Sequence, residues 1–451
     1  MIETMHTAAA FIFAIALLIG VHEFGHFIVA RKLGIKVEKF SIGFGPKLIS
    51  WHSKDREVEY IIAMIPLGGY VKMLGEQLID QNDPQAEPLS EADKARAFNH
   101  QPVWKRAAVA AAGPMFNFFF AIVVYMCVAW IGQMVMPPVI GSVAPGSVAE
   151  RSGLKIGDTI EKVNHQDIHA WSDVEEALKS NVNQEVDFQL LRADGMVDVH
   201  MHIPATEEEP LLINVAEDVL GISMGMQVFA DNIAADSPAA KAGMLEGDQI
   251  VRIDNQEVHS VRDLIRYIQE HAGEQLAMGV LRDELHVTLH VVPKSDGGQG
   301  KIGVRLSAKP LSEPVLYRMD FFSGVAYGFV RTAEMTQLTL EVFGKMISTA
   351  ISPENLGGPI AIAQLAGRTA EMGLVTFLMF LALISVNLGV LNLLPVPILD
   401  GGHLVYLAIE KMRGSPLPAS VMEKTQIVGV LLVGMLMIFA FYNDLMRLFR
   451  G

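Results

Sequence analysis

The sequence predicts a polytopic α-helical membrane protein with four transmembrane helices, a mainly β soluble insert and a β-element associated with the membrane. Three observations predict it. Four apolar runs, residues 7–30, 107–135, 374–398 and 427–446, are long enough at 1.5 Å per residue to cross about 30 Å of hydrocarbon. Residues 140–309 contain no such run and carry 14 Lys and Arg against 28 Asp and Glu, so this block holds a net −14 of the chain's −15. The same block repeats itself at an offset of 90 residues.

The acidic balance excludes nucleic acid as an expected partner. At 51% hydrophobic and 19% charged, the chain is too apolar for an ordinary soluble protein and too polar to be wholly embedded. Cys127 is the one cysteine, so no intrachain disulfide or cysteine-based metal site can form.

The first apolar run contains Ile19-Gly20-Val21-His22-Glu23-Phe24-Gly25-His26-Phe27, an H-E-x-x-H pattern. On a helix, positions four apart share a face, so His22 and His26 can grip one metal ion. Glu23 lies about 100° round from His22, within reach of a water at that ion. Ionisable groups in such a run are costly, about 2.5–3.5 kcal/mol for a charge at mid-helix. Histidines reaching for the interface beside a solvated Glu23 would explain neither the spacing nor the acid. Two imidazoles still require a third ligand. Residues 1–6 lack Lys and Arg, which favours a retained span over a cleaved signal peptide. Arg31, Lys32 and Lys36 follow, placing the N-terminus outside and the motif toward the cytoplasmic end.

Residues 36–75 contain strand-like runs broken by Gly and Pro, including Gly43, Phe44, Gly45 and Gly69, Tyr70, Val71. They read either as a small hairpin in a cytoplasmic loop or as a β-element dipping into the membrane. The second would offer an unpaired edge to an extended peptide. Residues 76–96 read as a polar, acidic surface loop, and Trp104, Lys105 and Arg106 as an interfacial anchor. In the second span, Ala108, Ala112 and Gly113 permit close helix approach. Asn117 reads as a hydrogen bond between helices rather than a neighbour of the metal.

In the acidic block, Ser147-x-Ala149-x-x-x-Gly153-x-x-x-Gly157-Asp158-x-Ile160 matches Ser237-x-Ala239-x-x-x-Gly243-x-x-x-Gly247-Asp248-x-Ile250. The pattern resembles PDZ domains in the permuted form of bacterial proteases. That resemblance implies two domains, 136–220 and 221–309, each with a groove that takes peptide by strand addition. Asp158 and Asp248 follow a turn glycine and are expected to fix the turn. The pairs His165/His169, His200/His202 and His286/His290 lack a helix or a third ligand and read as surface residues. Residues 310–355 read as amphipathic membrane-surface helices, and Leu356–Ile360 as a turn.

The third span ends in Asn392-Leu393-Leu394-Pro395-Val396-Pro397-Ile398-Leu399-Asp400-Gly401-Gly402-His403. Pro395 and Pro397 cannot continue a regular helix, so the backbone unwinds near membrane depth, where it must line a protein cavity. Asp400, at the end of that stretch, is the third ligand. Two imidazoles and a carboxylate leave Zn²⁺ an open position, as a catalytic site does. Residues 427–446 complete the count, with the C-terminus outside. Lys411 and Arg413 agree with that orientation, while Arg447 and Arg450 mildly oppose it.

H-E-x-x-H in a first span with N-x-x-P-x-P-x-L-D-G in a later one resembles the site-2 protease family of intramembrane zinc metalloproteases. The resemblance covers essentially the whole chain. It implies Zn²⁺ bound by His22, His26 and Asp400, with Glu23 as general base. It implies that Asn392, Pro395 and Pro397 help hold the unwound substrate backbone. Gly43, Phe44, Gly45 and Gly69, Tyr70, Val71 match the family's membrane-associated β-elements. Implied substrates are single-span membrane proteins, such as an anti-sigma factor, and remnant signal peptides. The implied location is the inner membrane, with both termini and the PDZ domains periplasmic. The tandem domains would filter substrates by size or receive their termini. A non-catalytic PDZ scaffold would need neither the H-E-x-x-H motif nor Asp400, and a metal transporter would want more intramembrane ligands.

Overall fold

The computed structural model describes residues 2–76, 90–206, 213–348 and 357–450. Residues 77–89, most of the expected acidic loop, and Leu356 of the expected turn lie outside the described residues. The chain divides into two compact units, residues 1–133 with 318–451, and residues 134–317.

In the first unit, helix α1 spans Ile2–Lys32. It stops where Gly34 takes φ +81° and the Ile35 amide reaches back to the Ala30 carbonyl at 3.0 Å, satisfying an end carbonyl. Strands β1 (Val37–His52) and β2 (Glu59–Met73) follow as an antiparallel pair. Both strands bend. Residues 39–42 of β1 pair on one side with 69–72 of β2 and on the other with 59–62, while 47–52 of β1 pair with 59–63. Two strands thus make a sheet of four segments in the order 69–73, 37–42, 59–63, 47–52. Gly43 and Gly45, at φ +96° and +86°, permit the bend in β1. Phe27, Ala30, Ile35, Val37, Val71 and Met73 form the core between α1 and this sheet. Helix α2 (Val103–Ile131) crosses beside α1.

In the second unit, the repeat in sequence is a repeat in structure. Its first half has β3 (Thr159–Val163), helix α3 (Trp171–Ser180), β4 (Glu185–Arg192) and β5 (Gly195–His202). Its second half has β6 (Met226–Ile233), β7 (Gln249–Ile253), helix α4 (Val261–Glu270), β8 (Leu276–Arg282), β9 (Leu285–Val291) and β10 (Val304–Pro310). β3, β4 and β5 are neighbours in one sheet, and β9-β8-β7-β6-β10 is the order in the other. Equivalent core positions are buried in both halves: Ile160 and Ile250, Leu178 and Ile268, Phe188 and Met278, Leu190 and Val280. Asp158 accepts from Arg192 Nε at 2.6 Å and from the Lys155 amide at 2.9 Å. Asp248 does the same with Arg282 at 2.7 Å and Leu245 at 2.9 Å. Each aspartate therefore ties its turn to a strand. His200 and His202 lie on β5, and His286 and His290 on β9.

The first unit resumes with α5 (Phe321–Ile347), capped by Asp320, whose Oδ1 accepts from the Phe322 amide at 2.9 Å. This helix falls within the stretch expected to lie on the membrane surface. Its Gly324 meets Trp130 and its Gly328 meets the Ile122 carbonyl, so it is seated along α2. Helices α6 (Pro359–Glu371), α7 (Leu374–Leu393), α8 (Asp400–Arg413) and α9 (Ala419–Arg450) complete the chain. Buried Asp444 on α9 caps α6, accepting from the amides of Gly358, Ile360 and Ala361 at 2.9, 2.8 and 3.1 Å. Among the described residues four helices are long and apolar enough to cross a membrane: α1, α2, α7 and α9.

Candidate metal centre

α1 is regular through the H-E-x-x-H stretch, so His22 and His26 emerge on one face, with ring centroids 4.8 Å apart. After α7 ends at Leu393, the chain turns through the prolines and re-enters a helix at Asp400. Gly401 and Gly402 make that turn tight, since a Cβ on either would lie 2.2 Å from the carbonyl oxygens of Leu394 and Val396 respectively. The turn delivers the Asp400 carboxylate to the imidazoles. His22 Nε2 is 3.1 Å from Asp400 Oδ2, His26 Nε2 is 3.5 Å from Oδ1, and the two Nε2 atoms are 3.2 Å apart. Among the described residues this is the one group of three such side chains placed to share an ion.

Each imidazole is held from behind by α2. His26 Nδ1 donates to the Val109 carbonyl at 2.7 Å, which leaves its Nε2 lone pair facing inward. His22 Nδ1 is 3.1 Å from the side-chain amide of Asn117, whose Oδ1 is buried without a partner. With that amide turned over, Oδ1 accepts from an Nδ1–H, the arrangement in which His22 Nε2 presents its lone pair to the cluster. Asn117 does join two helices, as its sequence position suggests, but its partner is a site imidazole. Ser385 holds it in place by donating to the Asn117 carbonyl at 2.8 Å. Between these two supports sits Gly113, where a Cβ would lie 2.2 Å from His26 Nε2 and 2.7 Å from His22.

With both Nδ1 atoms protonated, three lone-pair donors converge and repel one another unless a cation joins them. Their separations also fit one. Bonds of about 2.0 Å in a tetrahedral zinc site place neighbouring ligand atoms about 3.3 Å apart, against 3.1, 3.2 and 3.5 Å here. The residues present therefore fit zinc.

A cavity of about 1020 Å³ opens beside the cluster, lined by His22, Glu23, His26, Asn392, Asp400 and the β2 segment Gly69–Met73 among others. Gly69 lies against Glu23, and a Cβ there would fall 2.8 Å from Glu23 Cγ. Gly69, Tyr70, Val71 and Asn392 thus reach the cavity. Gly43, Phe44, Gly45, Pro395 and Pro397 are not in its wall. Phe44 instead stacks on Tyr70 at 6.4 Å, and Pro397 packs against Gly429 of α9. Nothing in the sequence marks Val109, Gly113, Glu76 or His403 as site residues, yet Gly113 lies against both imidazoles and the other three line the cavity. The first two lie with Asn117 at intervals of four on α2, a stripe that reads equally as helix packing. Glu76 also lines the cavity, and burial raises its carboxyl above the usual range even though the Met73 amide donates to it at 3.1 Å.

A two-histidine, one-carboxylate cluster with an acid beside it, set among membrane-length helices, is what an intramembrane zinc metalloprotease requires. The chain belongs to peptidase family M50, whose profile matches residues 10–436. It is 38% identical to the regulator of sigma-E protease RseP of Escherichia coli, over 99% of this chain and 100% of that one. The RseP of Salmonella typhimurium is 38% identical over the same shares. Among solved structures, the PDZ domain of an SdrC-like protein from Listeria monocytogenes is 23% identical, covering 18% of this chain and 86% of that domain with a TM-score of 0.17.

Proposed function

We propose that this chain cleaves single-span membrane proteins within the bilayer, with His22, His26 and Asp400 holding zinc and Glu23 acting as general base. The observation that carries the reading is the convergence of those three ligands beside Glu23 in a cavity walled by a strand edge. Zinc, when bound, polarises the scissile carbonyl and acidifies water. Glu23 takes a proton from the attacking water as the new C–O bond forms, and returns it to the amide nitrogen as the C–N bond breaks. The supports from Val109 and Asn117 keep both imidazoles oriented through this exchange.

A substrate helix hides its carbonyls in hydrogen bonds and must be extended before attack. Among the described residues the segment 69–73 is the outer one of the four, pairing with 37–42 of β1, and its residues line the cavity. It can therefore take an extended strand by edge pairing. Asn392 lies in the wall of the same cavity and is assigned to hold the substrate backbone. The family resemblance implies a single-span anti-sigma factor as one substrate, in keeping with the relatives' name, regulator of sigma-E protease, and remnant signal peptides as another. In this reading the chain sits in the inner membrane, with both termini and the two repeats periplasmic. The repeats are PDZ domains that exclude substrates whose outer domain is intact.

Glu23→Gln tests the chemistry. The purified variant should keep one zinc and lose cleavage of a single-span substrate by at least about 100-fold. Wild-type cleavage by the zinc-loaded variant would end the proposal. Deleting residues 140–309 tests the filter, which predicts cleavage of the uncut, full-length substrate. A deletion that abolishes all cleavage would instead make the repeats a receptor.

A further inference from the structure

We infer that an ion pair between Arg106 and Glu410 is a clamp that positions the third metal ligand. The inference rests on the proposed zinc site and deepens it. Arg106 near the start of α2 donates through Nη1 to Glu410 Oε2 at 3.1 Å, and its Nη2 bonds the other oxygen, a two-pronged contact. Both side chains are only 13% exposed. The guanidinium is further fixed because its Nε donates to the Gln101 carbonyl at 3.0 Å. Gln101 is itself buried and donates to the Ala95 carbonyl at 2.7 Å. Lys105 Nζ donates both to Gln101 Oε1 at 3.1 Å and to the Leu33 carbonyl, at the end of α1, at 3.0 Å. Arg106 is thus anchored to a network that includes the end of the helix bearing His22 and His26.

Two helical stripes connect this pair to the metal cluster. At 100° per residue, Arg106, Val109, Gly113 and Asn117 fall within about 80° on α2, the face that supports both imidazoles. On α8, Asp400, His403, Leu407 and Glu410 likewise fall within about 80°. The helices run antiparallel, so the ion pair closes one end of the contact and the cluster closes the other. Asp400 is the first residue of α8, its helix has no side-chain cap, and the chain before it is unwound around two prolines. Backbone packing at Gly401 and Gly402 locates the start of the helix. The rotation of α8, and with it the aim of the carboxylate, is left to contacts farther along. Glu410 lies ten residues on, about 15 Å along the axis. A charged pair held in two places at that distance resists both rotation and sliding of the helix.

The experiment titrates zinc into metal-free, full-length protein in detergent, in competition with a chelator. Arg106→Gln and Glu410→Gln should each weaken zinc binding about tenfold or more, as loss of a positioning contact does. The swapped pair Arg106→Glu with Glu410→Arg should restore the affinity to within about threefold. Asp444→Ala serves as the structural control, because it removes a helix-capping carboxylate outside the cavity wall and should leave zinc affinity unchanged. Unchanged zinc affinity in both single variants of a protein that binds one zinc overturns the clamp and leaves the zinc site standing. Wild-type protein that takes up no zinc removes the functional reading and the clamp with it. Should the single variants fail to accumulate, the swapped pair decides: wild-type affinity supports the clamp, and weakened binding or failure to fold overturns it.

Discussion

Gly113→Ala is the most demanding perturbation of the metal centre, because it adds one methyl and no charge. The added carbon would stand 2.2 Å from His26 Nε2 and 2.7 Å from both Cε1 and Nε2 of His22. Ordinary carbon–nitrogen contact is about 3.5 Å, so His26 would have to retreat by more than 1 Å. It cannot do so freely, since its Nδ1 is held by the Val109 carbonyl at 2.7 Å and the ring is buried. Either that bond breaks or α2 moves off α1. The overpacking should cost about 1–3 kcal/mol of stability. The effect on the metal is larger, because the methyl competes for the space in which the two Nε2 lone pairs meet. Zinc affinity should fall by more than about 100-fold, beyond the range for loss of a supporting contact. Chelator competition on the purified protein measures this, with thermal unfolding run in parallel. Gly344→Ala is the matched control, since it lies in helix α5 with no atom of the described residues near its added methyl, and should be neutral or mildly stabilising. Gly113→Ala protein that binds one zinc with wild-type affinity would refute the inward-facing arrangement of the imidazoles.

Three further outcomes follow from the geometry. Gly69→Ala should leave zinc in place and slow cleavage at least about tenfold, because its Cβ would press on Glu23 Cγ and on the Ser41 carbonyl, both at 2.8 Å. Parallel zinc and rate measurements check this, and a wild-type rate would contradict it. Arg282→Gln should destabilise the second repeat by taking the ion-pair partner from the Asp248 carboxylate, read as lost hydrogen-exchange protection at the Leu245 amide. Burial pushes the Asp248 carboxyl up, but Arg282 and the Leu245 amide outweigh it and hold the group below its usual value. Its contribution is therefore present above the unfolded carboxylate value near pH 4 and is lost as pH falls through the lower folded value. Protection at Leu245 should fall on acidification in the wild-type protein, and much less in Asp248→Asn.

The sequence determined the parts whose signal is local. Periodicity and length marked the spans, the offset of 90 marked the duplicated β block, and the spacing of His22, Glu23 and His26 required a helix to work at all. Asp400 was legible because an acid after Pro395 and Pro397 in an apolar stretch has few other uses. Tertiary structure decided what depends on contacts between distant residues. Val109 contributes a carbonyl, which no side-chain pattern reveals, and Gly113 and Asn117 look like helix packing until the histidines are seen against them. Arg106 resembles an interfacial anchor in sequence, and only the fold shows Glu410, 304 positions away, closing on it. The bent register of β1 and β2 was equally hidden. Bulges at Gly43 and Gly45 decouple pairing from alternation, so only the folded sheet shows which segment comes to lie against Glu23.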